Sequence, residues 1–184
     1  MQIDEAAALI RPAVAGVGAS ETWAELGAGS GTFTRALALL LGPGGRLYAV
    51  DRDRRAVDAL RSVAGREHGR AAAVTPVLAD FTQPLALPAL DGVLLANALH
   101  FVHDGAQRDV LARVADYLRP GGRLVLAEYD GRAPSRWVPY PVSLARFRAL
   151  AAEIGLGDAE LVGERRSAYG GRLYAAVAAR PAGA

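Results

Sequence analysis

Trp23-Ala24-Glu25-Leu26-Gly27-Ala28-Gly29-Ser30-Gly31-Thr32-Phe33-Thr34 reads as a short apolar strand that runs into a turn of alternate glycines and leaves it directly into a helix. This arrangement lets backbone N–H groups at the helix start approach a ligand. A nucleotide-like ligand is the first expectation. Glycines also serve tight turns with no ligand, so the rest of the chain must decide between the two.

Upstream, Ile3, Ala7, Ile10 and Val14 recur at helical spacing and predict an amphipathic helix from Ile3 to about Val17, with Pro12 ill placed for an unbroken one. The helix after the turn, about Thr32 to Leu41, stops at Gly42-Pro43-Gly44-Gly45. Then come a strand at Arg46 to Asp51, a helix at about Arg54 to Val63, and a strand at about Ala73 to Ala79 that ends in Asp80-Phe81. A strand at Gly92 to Ala96 closes on Asn97-Ala98-Leu99-His100, and a helix at about Gly105 to Leu118 ends at Arg119-Pro120-Gly121-Gly122. A strand at Arg123 to Glu128 leads into a loop, and a helix at about Val142 to Ile154 follows. The alternation predicts a parallel sheet covered by helices on both faces. The tail breaks the rhythm: Ala159 to Ala168 and Arg172 to Ala179 flank Gly170-Gly171 and predict an antiparallel hairpin, with Pro181 to Ala184 frayed. The expected fold class is α/β, doubly wound, with a mostly parallel seven-stranded sheet and a C-terminal antiparallel hairpin.

A chain of 184 residues, half of them apolar, is sized for one domain spanning residues 1–184. No apolar run approaches the roughly 20 residues that cross a bilayer. The acidic start Met1-Gln2-Ile3-Asp4-Glu5 does not resemble a signal peptide, so a cytoplasmic protein with no membrane partner is expected. The chain has no cysteine, which removes disulfides and thiolate chemistry, and its three histidines make a metal cage unexpected. It has no lysine either, which excludes a Schiff-base lysine and a phosphate-loop lysine. Its arginines are scattered among acids, so a net charge of +2 is read as solvated helix faces rather than a nucleic-acid surface.

Spacing separates two ligands that use such a turn. The dinucleotide fingerprint places its third glycine three positions after the second, where this chain has Thr32. Glu25 stands two residues before Gly27, where it would repel a pyrophosphate and attract an ammonium- and sulfonium-bearing ligand.

At these residues the chain resembles the class I methyltransferases that use S-adenosylmethionine, in particular their small-molecule branch. The acid-x-Gly-x-Gly-x-Gly run is matched by Glu25, Gly27, Gly29 and Gly31; further acids at strand ends by Asp51 and by Asp80 with Phe81; the polar end of strand four by Asn97; and the turn before strand five by Arg119-Pro120-Gly121-Gly122. The likeness runs from Trp23 to about Arg180. It implies a Rossmann-like methyltransferase fold, with S-adenosyl-L-methionine as cofactor and S-adenosyl-L-homocysteine as product.

The resemblance implies that Asp51 accepts from both ribose hydroxyls, with Asp53 left to cap the next helix. Asp80 would receive the adenine amino group, with Phe81 beside the ring and Arg52 next to Asp51 in the same site; core packing is the alternative for Phe81. Ala28 belongs to the glycine turn, and Asn97 and Ala98, with Leu99, would line the methionine end. Glu25 would orient the turn or meet the ligand's ammonium through water.

His100 follows strand four at the sheet edge where such folds place ligands, and is a candidate general base; the alternative is packing beneath a cover. His103 and His68 are expected at the surface. The loop from Tyr129 to Pro141 holds Arg132, Arg136, Trp137 and Tyr140, expected as one wall of an acceptor pocket, with an arginine available for a carboxylate or phosphate. The helix within residues 1–18 would form part of the cover, and a homodimer could complete it.

Methyl transfer by in-line displacement needs mainly alignment and exclusion of water. Enzymes acting on amines of nucleic-acid bases resemble one another in an Asn- or Asp-Pro-Pro-aromatic run, whereas Ala98 follows Asn97 here. Those acting on ribose hydroxyls resemble one another in a lysine-containing tetrad, which a chain without lysine lacks. A small organic acceptor is therefore expected, with no nucleic-acid partner. A non-catalytic module binding S-adenosylmethionine and a nicotinamide-dependent oxidoreductase are the alternatives.

Overall fold

The computed structural model describes residues 1–14, 20–64, 69–167 and 170–183. The predicted end of the first helix near Val17, and His68, lie outside them. Helix α1 (Ile3–Val14) precedes β1 (Thr22–Leu26), α2 (Thr32–Leu41), β2 (Arg46–Asp51), α3 (Arg54–Ala64), β3 (Ala73–Leu78) and β4 (Leu90–Ala96). A single 3-10 turn (Leu99–Phe101) leads to α4 (Asp104–Asp116), β5 (Leu118–Asp130), α5 (Leu144–Glu153), β6 (Glu160–Arg166) and β7 (Arg172–Ala179).

The seven strands form one sheet in the order β3-β2-β1-β4-β5-β7-β6. The first five run parallel, and β7 lies antiparallel between β5 and β6. The chain winds outward from β1 to β3 and then returns to place β4 on the other side of β1. That reversal leaves a crevice outside the carboxyl ends of β1 and β4, where open α/β sheets hold their ligands.

Alternation along the central strands builds a core on each face. Trp23, Leu94 and Val125 pack with residues of α1 and α2, while Leu26, Leu95 and Leu126 pack with residues of α4 and α5. The same phase decides where two acids go. Glu25 shares the α1 and α2 face with Trp23, and Glu128 shares the α4 and α5 face with Leu124 and Leu126. The Trp23 ring fills the space over Gly92, where any Cβ would come within 2.4 Å of it.

Two boundaries differ from the sequence reading. β5 starts at Leu118, and the Arg119-Pro120-Gly121-Gly122 stretch, with Gly121 at φ 78°, exchanges backbone bonds with Arg180 (Gly121 N–H to Arg180 O, 2.9 Å; Arg180 N–H to Gly122 O, 2.8 Å). β4 starts at Leu90, and the register between it and β5 shifts between Leu90 and Gly92. Pro12 falls inside the last turn of α1, which continues to Val14. Among the described residues no helix is long and apolar enough to cross a membrane, and no acid or histidine cluster could hold a metal.

Candidate active site

The glycine turn is held by its neighbours. Gly27 and Ala28 both donate backbone N–H to Val50 O (2.9 and 3.0 Å), which ties the turn to β2. Gly27 adopts φ 80°, and a Cβ there would lie 2.6 Å from the Ala98 Cβ. Only glycine therefore leaves the crevice open at this point. Gly31 also has φ 80°, but it stands at the N-cap of α2 against Leu60 and lines none of the cavities described below.

Asp51 ends β2 and faces the turn. Its Oδ2 accepts from Gly29 N–H at 2.7 Å and its Oδ1 from Asp53 N–H at 2.8 Å, while Asp53 in turn accepts from Arg55 N–H at 2.9 Å at the start of α3. The helix cap thus falls to Asp53. Each Asp51 oxygen keeps a further lone pair, since a carboxylate offers about four acceptor sites.

Asp80 accepts from both the backbone N–H (2.9 Å) and the hydroxyl (2.8 Å) of Thr82 through Oδ1. Partial burial alone would raise this carboxyl, but the two Thr82 bonds and the Arg52 charge outweigh it and hold the group below its ordinary value. Gly27, Gly29, Asp51, Arg52, Asp80, Phe81, Asn97 and Ala98 surround one cavity of about 260 Å³, closed at its far side by Phe101 and Val102.

A second cavity, of about 540 Å³, opens on the other side of the turn, among Glu25, Ala28, the first residues of α2, Asn97 and Tyr129. Its outer wall holds Met1 and Glu5 at the start of the chain, together with residues the sequence reading gave no place in the site: Arg165, Arg166 and Ser167 of β6 and its edge, and Leu173 of β7. Glu5 and Arg165 pair at 2.8 Å and tie α1 to β6. Glu25 is 1% exposed and accepts a hydrogen bond from the Thr34 hydroxyl. Burial pushes its carboxyl up to about 8; the Thr34 bond opposes that shift, and the Asp51 charge reinforces it. The Thr34 contact ties the end of β1 to the first turn of α2.

Asn97 joins the cavities. It follows β4 with φ 52°, in the left-handed region that side chains seldom adopt, and it lines all three spaces. Its N–H is bonded to Ala127 O at 2.9 Å, but its buried Oδ1 has no partner among the described residues. A ligand donor would satisfy that oxygen.

The third cavity, of about 510 Å³, is the space beside His100, Phe101, Tyr129, Arg132, Trp137 and Val138. His100 sits on the 3-10 turn rather than on the strand edge itself, and is 2% exposed. Its Nδ1 is 2.6 Å from Glu128 Oε2, and its backbone N–H donates to Glu128 Oε1 at 3.2 Å. The sequence reading did not assign Glu128 any role. Arg132 lies over the Tyr129 ring at 4.8 Å.

Arg136 and Tyr140 do not line this cavity. Arg136 stacks on Trp137 at 4.6 Å, and Tyr140 packs on His103 at 4.7 Å. Tyr140 nevertheless anchors the loop through its backbone: its N–H donates to His100 O (3.0 Å), and its carbonyl accepts from Gln107 (3.2 Å). His103 is exposed and caps α4, as the surface expectation allows.

The arrangement thus offers carboxylates and open backbone in one groove, an unsatisfied amide oxygen at its inner end, and an aromatic cavity with a buried imidazole beyond. A family model described as a methyltransferase domain matches residues 24–124. Among curated sequences, the chain is 36% identical over 111 residues to an uncharacterized 37.1 kDa protein in transposon TN4556 of Streptomyces fradiae. That match covers 60% of this chain and only 30% of the relative.

Among solved structures, the N-methyltransferase NodS of Bradyrhizobium japonicum, in complex with S-adenosyl-L-homocysteine, superposes with a TM-score of 0.78 at 20% identity, covering 97% of this chain and 86% of that one. The 1,6-didemethyltoxoflavin-N1-methyltransferase of Burkholderia thailandensis gives 0.72 at 22% identity, covering 97% and 78%. Magnesium protoporphyrin IX methyltransferase of Synechocystis gives 0.70 at 18%, covering 97% and 77%. These likenesses are of fold. They match the expected mostly parallel seven-stranded sheet and its antiparallel hairpin.

Proposed function

The chain belongs to the methyltransferase domain family, and from that premise we propose that it transfers a methyl group from S-adenosylmethionine to a small organic acceptor. The observation that carries the reading is the meeting of three spaces at Asn97: a groove edged by Asp51 and Asp80, a cavity at Glu25 and the glycine turn, and a separate aromatic cavity at His100. Such a layout suits a long cosubstrate with a polar sugar, a flat base and a charged tail, presented end-on to a second molecule.

In this proposal Asp51 accepts from the ribose hydroxyls, and Asp80, with Phe81 and Arg52 beside it, holds the adenine. The backbone of Gly27, Ala28 and Gly29 lies along the middle of the ligand. Asn97 Oδ1 takes a donor from the ammonium end, near the Ala98 backbone, with Glu25 behind it. When bound, S-adenosylmethionine supplies a methyl carbon already activated by its sulfonium. The protein's share is alignment and exclusion of water, which effective molarity makes worth up to about 7–11 kcal/mol in favourable cases.

The proposed acceptor class excludes nucleic acid, since Ala98 follows Asn97 and no lysine is available. In this proposal the chain acts in the cytoplasm, and a second copy completes the modest cover of the aromatic cavity; light scattering checks the dimer. Titration calorimetry tests the cofactor. S-adenosylmethionine and S-adenosylhomocysteine should bind and NAD should not; tight NAD binding with no response to S-adenosylmethionine overturns the proposal.

A further inference from the structure

His100 and Glu128 form a buried polar pair beside the aromatic cavity. Glu128 is 0% exposed and stands at an inward position of β5, in phase with Leu124 and Leu126. Burying a carboxylate is costly unless it is hydrogen-bonded, and His100 supplies Glu128 with both a ring contact and a backbone N–H. With Glu128 ionised its oxygens only accept, and the contact then assigns the proton to Nδ1 and leaves a lone pair on Nε2. The same ring lines the cavity of Phe101, Tyr129, Arg132 and Trp137.

The groups around the pair are few. Tyr174 stands opposite Glu128 across β5 and β7 and donates a hydrogen bond from its hydroxyl to Val142 O at 3.0 Å. Burial, with the charges of Glu128 and Asp130, keeps that proton on the phenol. Arg132 is the cationic group on the cavity's other wall.

The wall is unusual for a surface. Phe101 is 55% and Trp137 66% exposed, both at the same cavity, while Trp23 is fully buried. Aromatic faces left open around a cavity suit a flat ring that stacks against them.

We propose that Glu128 positions His100 as a general base, and that the acceptor is a planar aromatic hydroxyl compound bearing an anionic substituent for Arg132. The inference rests on the methyl-transfer reading. In the step, the acceptor's O–H proton passes to His100 Nε2 and an oxygen lone pair forms the bond to the methyl carbon. The carbon–sulfur bond breaks with its electron pair left on sulfur, so the sulfonium becomes a neutral thioether. The positive charge gained by His100 faces Glu128. A phenol, with an ordinary pKa of about 10, is within reach of an imidazole base, whereas an alkyl alcohol is far more basic once ionised.

The test uses the full chain with hydroxybenzoate isomers, the corresponding aminobenzoates and S-adenosylmethionine, with products read by mass spectrometry. At least one hydroxybenzoate should be methylated on oxygen. With S-adenosylhomocysteine present, hydroxybenzoates should quench Trp137 fluorescence saturably, and Trp137→Phe should remove the quenching.

Glu128→Gln should lower kcat about 100-fold, move the acid limb of the kcat profile and leave the cofactor Kd unchanged, while Glu128→Asp restores part of the rate. Nitrogen NMR of ring-labelled histidine should place the His100 proton on Nδ1 in the wild type, a readout that needs neither turnover nor a variant. A proton on Nε2, a Glu128→Gln enzyme with full rate and an unmoved profile, or binding and methylation confined to aminobenzoates each overturn the proposal. So does failure of every hydroxybenzoate to bind or react while calorimetry still shows S-adenosylmethionine binding. Loss of that binding in the wild type instead removes the methyl-transfer reading itself.

Discussion

The groove along Gly27, Asp51 and Asp80 is made of backbone and of carboxylates fixed at the ends of successive parallel strands. The cavity beside His100 is made of side chains from a 3-10 turn, a strand and a loop that meet only in the folded chain. In the groove, each polar residue stands at or just past the end of its strand, so its place follows from where the strand stops. The cavity follows no such rule: Glu128 lies inside β5, 28 residues from His100, and the loop is fastened at Tyr140, whose N–H donates to His100 O and whose carbonyl accepts from the Gln107 side-chain amide.

Substitutions should separate the two regions. The largest effect is expected of Gly27→Val, whose branched side chain must enter the space already held by the Ala98 Cβ in a backbone conformation that disfavours it. S-adenosylmethionine binding should become undetectable by calorimetry; near-normal affinity would show that the groove is not where the cofactor lies. Asp51→Ala should weaken cofactor binding more than tenfold, because the ribose loses its acceptor and Gly29 N–H its partner. An unchanged Kd would detach Asp51 from the ligand.

Trp137→Ala acts on the other side. It should raise the acceptor KM about tenfold and leave the cofactor Kd within twofold, the loss expected for one stacked aromatic wall. An equal loss in both constants would merge the two regions into one.

The smallest effect concerns stability. The Glu25 carboxyl is raised from 4.5 to about 8 in the folded chain, so the folded state holds a proton there that the unfolded state has released. The contribution is fully present below pH 4.5, declines as pH rises toward 8, and is gone above it. Glu25→Gln should therefore flatten the fall of stability between those values, by more than about 1 kcal/mol across the window. Denaturant midpoints at pH 5 and 8 measure it, and parallel profiles for the two proteins would refute the buried, protonated state.

These regions also differ in how far the sequence discloses them. The strands of the parallel sheet were legible as apolar runs, the first breaking at Gly27 and the others closing on or near an acid or polar residue, so the places of Asp51, Asp80 and Asn97 came with them. The role of Glu128 was not legible. It closes an apolar run as Asp51 does, but its strand continues to Asp130, so its side chain is directed by alternation into the helix-covered face. The available signal was a carboxylate in phase with Leu124 and Leu126, which demands a buried partner. Arg165 and Arg166 escaped for a different reason: a hairpin reads as a closing element, and nothing local says that its edge borders the cavity at Glu25. Arg136 and Tyr140 shared a loop with Trp137 but not its direction.

β7, between β5 and β6, is the last of these seven strands to be synthesised. The glycine turn, Asp51, Asp80 and Asn97 are all synthesised long before it, so a nascent chain can lay down the β1 to β5 sheet while the outer edge of β5 is still open. An open edge of this kind is a hazard for mispairing until it is covered. Tyr174 covers Glu128 only once β7 is in place, so full burial of the imidazole–carboxylate pair waits on the seventh strand of the sheet.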